Sequence, residues 1–174
     1  MARGRTLIAL ALAAAAPAAA HAAGRVVDPG RIDPPYGPSR PVGTPVRALV
    51  AAWGPGEIPL PGDPPIASWP AGVEVTLGPA PARRAEKFTV TRPGWRTRAG
   101  VRIGSPEAAV VARYGRGRLV RVADRRGILG SDHHLMLPAG RMAIGFVLRR
   151  GRVFWMTTGP LPVVRADLAV AGPL

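Results

Sequence analysis

From Val46 to Trp53 the apolar residues stand at Val46, Leu49, Val50 and Trp53. That i, i+3, i+4, i+7 spacing predicts a short amphipathic helix with one apolar stripe. Thr44 before it is placed to cap the first turn, Pro45 suits the first helical position, and Gly54 supplies the left-handed residue that ends it. A second helix of the same design is predicted sixty-one residues on. There Val110, Val111 and Tyr114 form the stripe, Ser105 and Pro106 start it, Glu107 complements the dipole, and Gly115 ends it. Across Val42–Ile58 and Ile103–Leu119 seven of 17 positions are identical and five more are conservative. That is more than shared Ala, Gly and Pro content would produce, and it reads as an internal duplication. Helices of this length are unstable alone, so each must lie on an apolar surface.

Downstream of the second helix the period changes from helical to alternating. Leu119–Ala123, His133–Leu137, Met142–Arg149 and Val153–Thr158 read as four antiparallel strands, divided by Arg125-Arg126-Gly127, Pro138-Ala139-Gly140 and Arg150-Gly151. With Arg150-Gly151 as a two-residue turn, Leu148 faces Val153, Phe146 faces Trp155 and Ile144 faces Thr157. Met142, Ile144, Phe146, Leu148, Val153 and Trp155 are then expected to share the core face. Ala143, Gly145, Val147, Arg149, Arg152, Phe154 and Met156 are expected on an open face, partly apolar and ringed by arginine.

The first half echoes this arrangement in degraded form. Pro70-Ala71-Gly72 matches Pro138-Ala139-Gly140, and Arg83-Arg84 with Phe88 matches Arg149-Arg150 with Phe154. Val73–Leu77 and Phe88–Thr91 are expected strands. Pro55, Pro59, Pro61, Pro64 and Pro65 are expected to displace any first strand, because proline cannot join a central ladder. The reading is an α+β protein of two tandem repeats, each a short helix on a small antiparallel sheet. Its parts are residues 1–22 as signal peptide, 23–40 as a Pro-rich extended arm, 41–98 and 99–160 as the repeats, and 161–174 as a tail.

The signal assignment rests on Arg3 and Arg5, the apolar run Leu7–Ala16, and Ala20-His21-Ala22 before the cut near Ala22-Ala23. The run is too short to span a bilayer, so no transmembrane segment is expected in the mature chain. A periplasmic or secreted location follows. The chain has no cysteine, so packing alone must hold it together in a compartment that would permit disulfides.

Charge adds a second asymmetry. The formal net charge is +14, of which residues 83–152 contribute +13 and residues 23–82 contribute −1. Such a field draws polyanions and acidic surfaces. It is equally what an arginine-favouring composition and a solvated surface would produce. The densest series is Arg113, Arg116, Arg118, Arg121, Arg125 and Arg126. No nucleic-acid reader motif accompanies it, and export separates the chain from most nucleic acid.

The element Gly43-Thr44…Trp53-Gly54, repeated as Gly104-Ser105…Tyr114-Gly115, resembles the β-lactamase-inhibitor-protein family. It is also similar to the SmpA/OmlA-type outer-membrane assembly lipoproteins, which carry one copy. "TRAGVRIG", Thr97–Gly104, looks like the segment that leads into the helix in this superfamily. The resemblance covers about residues 38–158 and implies a binding role, with an open sheet face receiving a partner protein. The anchoring cysteine, the inhibitor's disulfide and its acidic loop tip have no counterpart in this chain, so fold carries over more readily than target.

Chemistry beyond binding is sparse. Asp132-His133-His134 on a strand would point in alternate directions, so three convergent metal ligands are not expected. Ser131 beside Asp132 and His133 lacks the separated elements of a triad, and there is no nucleophile elbow, P-loop or dinucleotide fingerprint. No cofactor, metal or enzymatic activity is expected. The expected partner is a protein contacting Arg149, Arg152, Phe154 and Met156. The alternative is an anionic envelope component, such as lipopolysaccharide phosphate, contacting Arg113 to Arg126.

Overall fold

The computed structural model describes residues 25–35, 37–57, 64–127 and 129–170; the signal-peptide assignment lies outside them. Three short strands come first, β1 (Val26–Asp28), β2 (Arg31–Asp33) and β3 (Arg40–Pro41). Helix α1 (Val46–Trp53) precedes β4 (Ile66–Trp69), β5 (Val73–Leu77), β6 (Ala85–Val90) and β7 (Arg96–Thr97). Helix α2 (Glu107–Tyr114) precedes β8 (Val120–Ala123), β9 (His133–Ala139), β10 (Met142–Arg149) and β11 (Arg152–Pro160), and α3 (Leu161–Ala169) follows. The protein is α+β, with two sheets and three helices among the described residues. The large sheet has seven antiparallel strands in the order β4-β5-β6-β11-β10-β9-β8; the small one runs β3-β2-β1-β7, with β1 and β7 parallel.

One face of the large sheet carries the main core. Val73, Val75, Leu77, Phe88, Val90, Leu135, Leu137, Ile144, Phe146 and Met156 lie there with Leu49 and Trp53 of α1 and Val110 of α2. Val27, Ile32 and Trp95 bring the small sheet onto the same core. Residues 23–40, expected as an extended arm, thus contribute strands to a covering layer. Thr158 pins that layer, accepting from the Gly30 N–H (2.6 Å) and donating to the Asp28 carbonyl (2.7 Å).

The two helix starts make the same contacts. Gly43 N–H bonds the Ala85 carbonyl and Gly104 N–H bonds the Val153 carbonyl, both at 2.7 Å. Ala85 N–H returns to Thr44 O (2.9 Å) as Val153 N–H returns to Ser105 O (2.8 Å). Pro45 bridges Arg84 as Pro106 bridges Arg152. The cap assignment needs correction. Pro45 and Pro106 occupy the N-cap with no side-chain bond. Thr44 Oγ1 donates to Pro41 O, and Ser105 Oγ accepts from the Arg102 N–H. The helices' first donors, Val46 and Glu107 N–H, go to the carbonyls of Arg83 and Gly151. A strand terminus does the work expected of a hydroxyl.

A β-bulge stands at the same place in each half. Leu77 pairs with Ala85 and Thr76 with Lys87, leaving Glu86 extra; Leu148 pairs with Val153 and Val147 with Trp155, leaving Phe154 extra. Hence Phe146 faces Met156, not Trp155, and Ile144 faces Thr158. The turn at Arg150-Gly151 is as expected, but the bulge shifts every later residue by one. Met156 enters the core, fully buried, and Trp155 crosses to the other face. The physical reason lies in Val153-Phe154-Trp155-Met156, four large apolar residues in a row. Strict alternation would take Met156 out of the main core; the extra residue sends Val153 and Met156 inward, turns Trp155 to the face under α3 and leaves Phe154 outside.

The second face of the large sheet divides in two. A cross-strand row runs Val120, Met136, Gly145, Thr157, Thr89, Glu74, Ser68 and ends at the Glu57 bridge. Over its first half lies α3, whose Val164 and Leu168 pack on Val122, Met136, Ala143 and Val147. The segment expected as a tail is therefore a covering helix. Beyond it the row turns polar at Thr89, Glu74 and Ser68, and Asp167 of α3 pairs with the neighbouring Lys87 of β6 at 2.5 Å. Where β8 stands in the second half, the first half has the single Glu57–Ser68 bridge among the described residues, in line with a first strand displaced by proline; β4, which follows Pro65 and takes the place of β9, was not expected.

Candidate functional site

The open apolar face expected on β10 and β11 is closed. Ala143 and Val147 lie under α3, and a Cβ on Gly145 would meet Thr157 Cγ2 at 2.7 Å and Val164 Cγ1 at 3.0 Å. Met156, placed at the centre of that site, is in the opposite core and reaches no partner. What remains outside is the corner beside the β10–β11 turn. Phe154 is 37% exposed, the one exposed aromatic among the described residues. The Arg149 guanidinium carbon sits 5.0 Å from its ring centroid, a cation–π distance. Trp155 backs the ring at 5.1 Å. Arg152 is exposed, but its Nη1 bonds Gly104 O (3.1 Å), so it braces the helix start. Of the four residues assigned to this surface, Arg149 and Phe154 are together, Arg152 is structural, and Met156 is elsewhere.

Arg113, Arg116, Arg118, Arg121, Arg125 and Arg126 are all exposed. Arg113 lies in the last turn of α2, where a cation favours the dipole. Arg116 and Arg121 line one cavity of about 230 Å³ whose floor is Val111, Leu119 and Leu135. Arg125 and Arg126 sit past the other end of β8, with Arg125 N–H on Ala169 O and Arg126 N–H on Asp124 Oδ1. The series is one surface around the edge strand β8. Sequence reasoning missed the apolar floor; alternation of Leu119 with Arg121 was the available signal. It also missed Glu107 as an organiser: Oε1 accepts from Arg121 (3.0 Å) and lies 3.1 Å from His133 Nε2.

In the Asp132-His133-His134 run the two histidines diverge as alternation requires, but Asp132, expected on the face of His134, turns to His133. His133 turns to Glu107, with Asp132 Oδ1 at 3.4 Å from its Nδ1. Asp132 is held below the usual carboxylate range by a backbone hydrogen bond and by His133. His134 is fully buried, and its Nδ1 accepts the Leu148 N–H (3.1 Å). Its Nε2 lies 3.5 Å from the buried Asp124 Oδ2, and neither of these two atoms makes a hydrogen bond. Burial lowers the His134 pKa against the pull of Asp124. The ring substitutes for a ladder carbonyl beside the bulge, a structural use. Among the described residues no three His, Asp or Glu side chains are grouped as a metal site would need. No helix there is long and apolar enough to cross a membrane.

A second basic concavity, about 360 Å³, lies between the start of α1 and the β5–β6 turn, lined by Arg47, Arg83 and Arg84. Comparison with family models, with curated proteins and with solved structures finds no match.

Proposed function

We propose that the protein is an exported, non-enzymatic binding module that takes a partner protein at the corner formed by Arg149, Phe154 and Trp155. It is built, on this reading, from a duplicated helix-and-meander unit like that of the inhibitor and lipoprotein families it resembles. The paired helix starts and the paired bulges support the duplication. The observation that carries the binding role is Phe154. An aromatic ring left outside by a bulge, with a guanidinium over it and an indole behind it, has the composition of an interface core. The partner engages this corner instead of the broad sheet face, which α3 covers.

The second reading, binding of an anionic envelope polymer, is favoured by the six exposed arginines around β8. Salt separates the two, because exposed charge pairing is screened while apolar contact is not. Pull-down from envelope extract of the native host is expected to retain a partner protein at high salt, and Phe154→Ala is expected to lose it. Capture that disappears with salt but survives Phe154→Ala would move the function to the arginine surface.

A further inference from the structure

Among the described residues, strand β8 is the end of the large sheet with no strand or bridge beside it. It pairs with β9 along Val120–Ala123, and no described backbone hydrogen-bonds to its outer side. At the opposite end β4 is protected by the Glu57–Ser68 bridge, both of whose bonds are made (2.8 and 2.7 Å). An open edge is a template for another strand. Here it is joined to a cavity: Arg121, in mid-strand, faces Leu135 across the ladder, and both line the hollow with Val111, Leu119 and Arg116.

We propose that β8 is a docking edge for an extended acidic segment of a partner protein, added as an eighth strand. Main-chain pairing along Val120–Ala123 supplies affinity. Alternate side chains of the incoming strand supply selection, an apolar one over Val111, Leu119 and Leu135 and acidic ones against Arg116 and Arg121. Arg121 is 64% exposed and directs its Nη2 to Glu107; Arg116 and Arg118 lie before the strand and Arg125 and Arg126 after it.

Charge selects the occupant. A second copy of β8 would set Arg121 and its flanking arginines against their own kind, which disfavours self-pairing. The chain's own remaining segments, 1–24, 36, 58–63, 128 and 171–174, hold one acidic side chain, Asp63. An acidic segment of another protein is the complement of this arginine-lined edge.

This surface is distinct from the Phe154 corner, and the two fail separately. The test uses the chain from residue 23 and a synthetic peptide alternating glutamate with valine, blocked at both ends. Expected are slowed amide exchange at Val120–Ala123, methyl shifts at Val111, Leu119 and Leu135, and unchanged binding by Phe154→Ala. Arg116→Glu, which disturbs no observed bond, and Arg121→Glu are each expected to weaken binding about tenfold, or roughly 1.4 kcal/mol. The same peptide N-methylated at alternate amides should not bind. Equal binding of the methylated peptide, equal competition by polyphosphate of matched charge, shifts at Arg47 and Arg83 instead of β8, or no binding at all would each overturn the proposal.

Discussion

Trp53 and Phe154 are both large aromatics, and only one of them holds the fold. Trp53 is 7% exposed, packs edge-on to Trp69 at 5.7 Å and near Phe88 at 6.0 Å, and donates Nε1–H to Pro38 O at 2.9 Å. Trp53→Ala should cost about 3–5 kcal/mol, read as a lowered melting midpoint. Phe154→Ala should cost less, about 1–2 kcal/mol, the worth of its contacts with Arg149 and Trp155 at a part-exposed site. An unshifted midpoint for Trp53→Ala would overturn the core assignment. The counterpart Tyr114 is half-buried and stands 5.8 Å from Phe146, as its helix position implies. Trp155 is not near it, because the bulge sends that side chain to the other face. His134 gives a pH dependence. Burial holds its folded pKa below the usual value of about 6.5. A depressed folded pKa means that its stabilising role is complete above about pH 6.5 and is lost as pH falls through the folded pKa. Melting midpoints should therefore drop on acidification from neutrality, and more steeply than in His134→Asn, whose Oδ1 stands where Nδ1 does and can still accept the Leu148 N–H. Equal acid slopes in the two proteins would exclude His134 as the source.

Among the elements, the strands of the second half were legible because their turns were. Pro138-Ala139-Gly140 and Arg150-Gly151 bound β10 within a residue, and Val73–Leu77 was read as it stands. What escaped was longer in range. The bulge needs no turn residue, and its only trace is the three-residue spacing of core positions, Ala85 to Phe88 and Val153 to Met156. Helix α3 has just Val164 and Leu168 buried, a stripe too thin to announce a helix between Pro160 and Val170. Its seat was visible in hindsight as Gly145, a glycine in mid-strand. The position corresponding to it in the first half is Glu74, by the common register of the two bulges. There burial pushes the Glu74 carboxyl up against the pull of Lys87, and Asp167 of α3 adds to the rise. Gly145→Val should therefore displace α3 while leaving the main core intact. Hydrogen exchange should then rise in Leu161–Ala169 ahead of β5 and β6, and dye binding to the bared Val122, Met136 and Val147 should increase. Protection of α3 equal to the unaltered chain would show that the helix is not seated on that glycine.

At the scale of the whole molecule, the two halves join through one antiparallel strand pair. Met156 pairs with Val90, Thr157 with Thr89 and Thr158 with Phe88. The hydroxyl oxygens of Thr89 and Thr157 lie 3.4 Å apart at its middle. Residue matching pairs Phe88 with Phe154, whereas the bulges set Phe88 level with Met156, because the matched arginines open the turn in one half, at Arg149-Arg150, and close it in the other, at Arg83-Arg84. The same meeting argues against two independent units. β6 and β11 are interior strands only because they pair with each other, and one core cluster draws on both halves, from Trp53 and Val75 to Phe146 and Met156. Cut at residue 98, each piece would bare a long edge and half a core, which a fragment of that size cannot sustain. The chain from residue 23 should consequently unfold in one cooperative step. Fluorescence, weighted to the first half by Trp53, Trp69 and Trp95, should trace the same denaturant curve as far-ultraviolet dichroism, which reports both halves. Separated midpoints, or a fragment ending at Arg98 that folds alone, would mean that the halves are domains in contact and not one sheet.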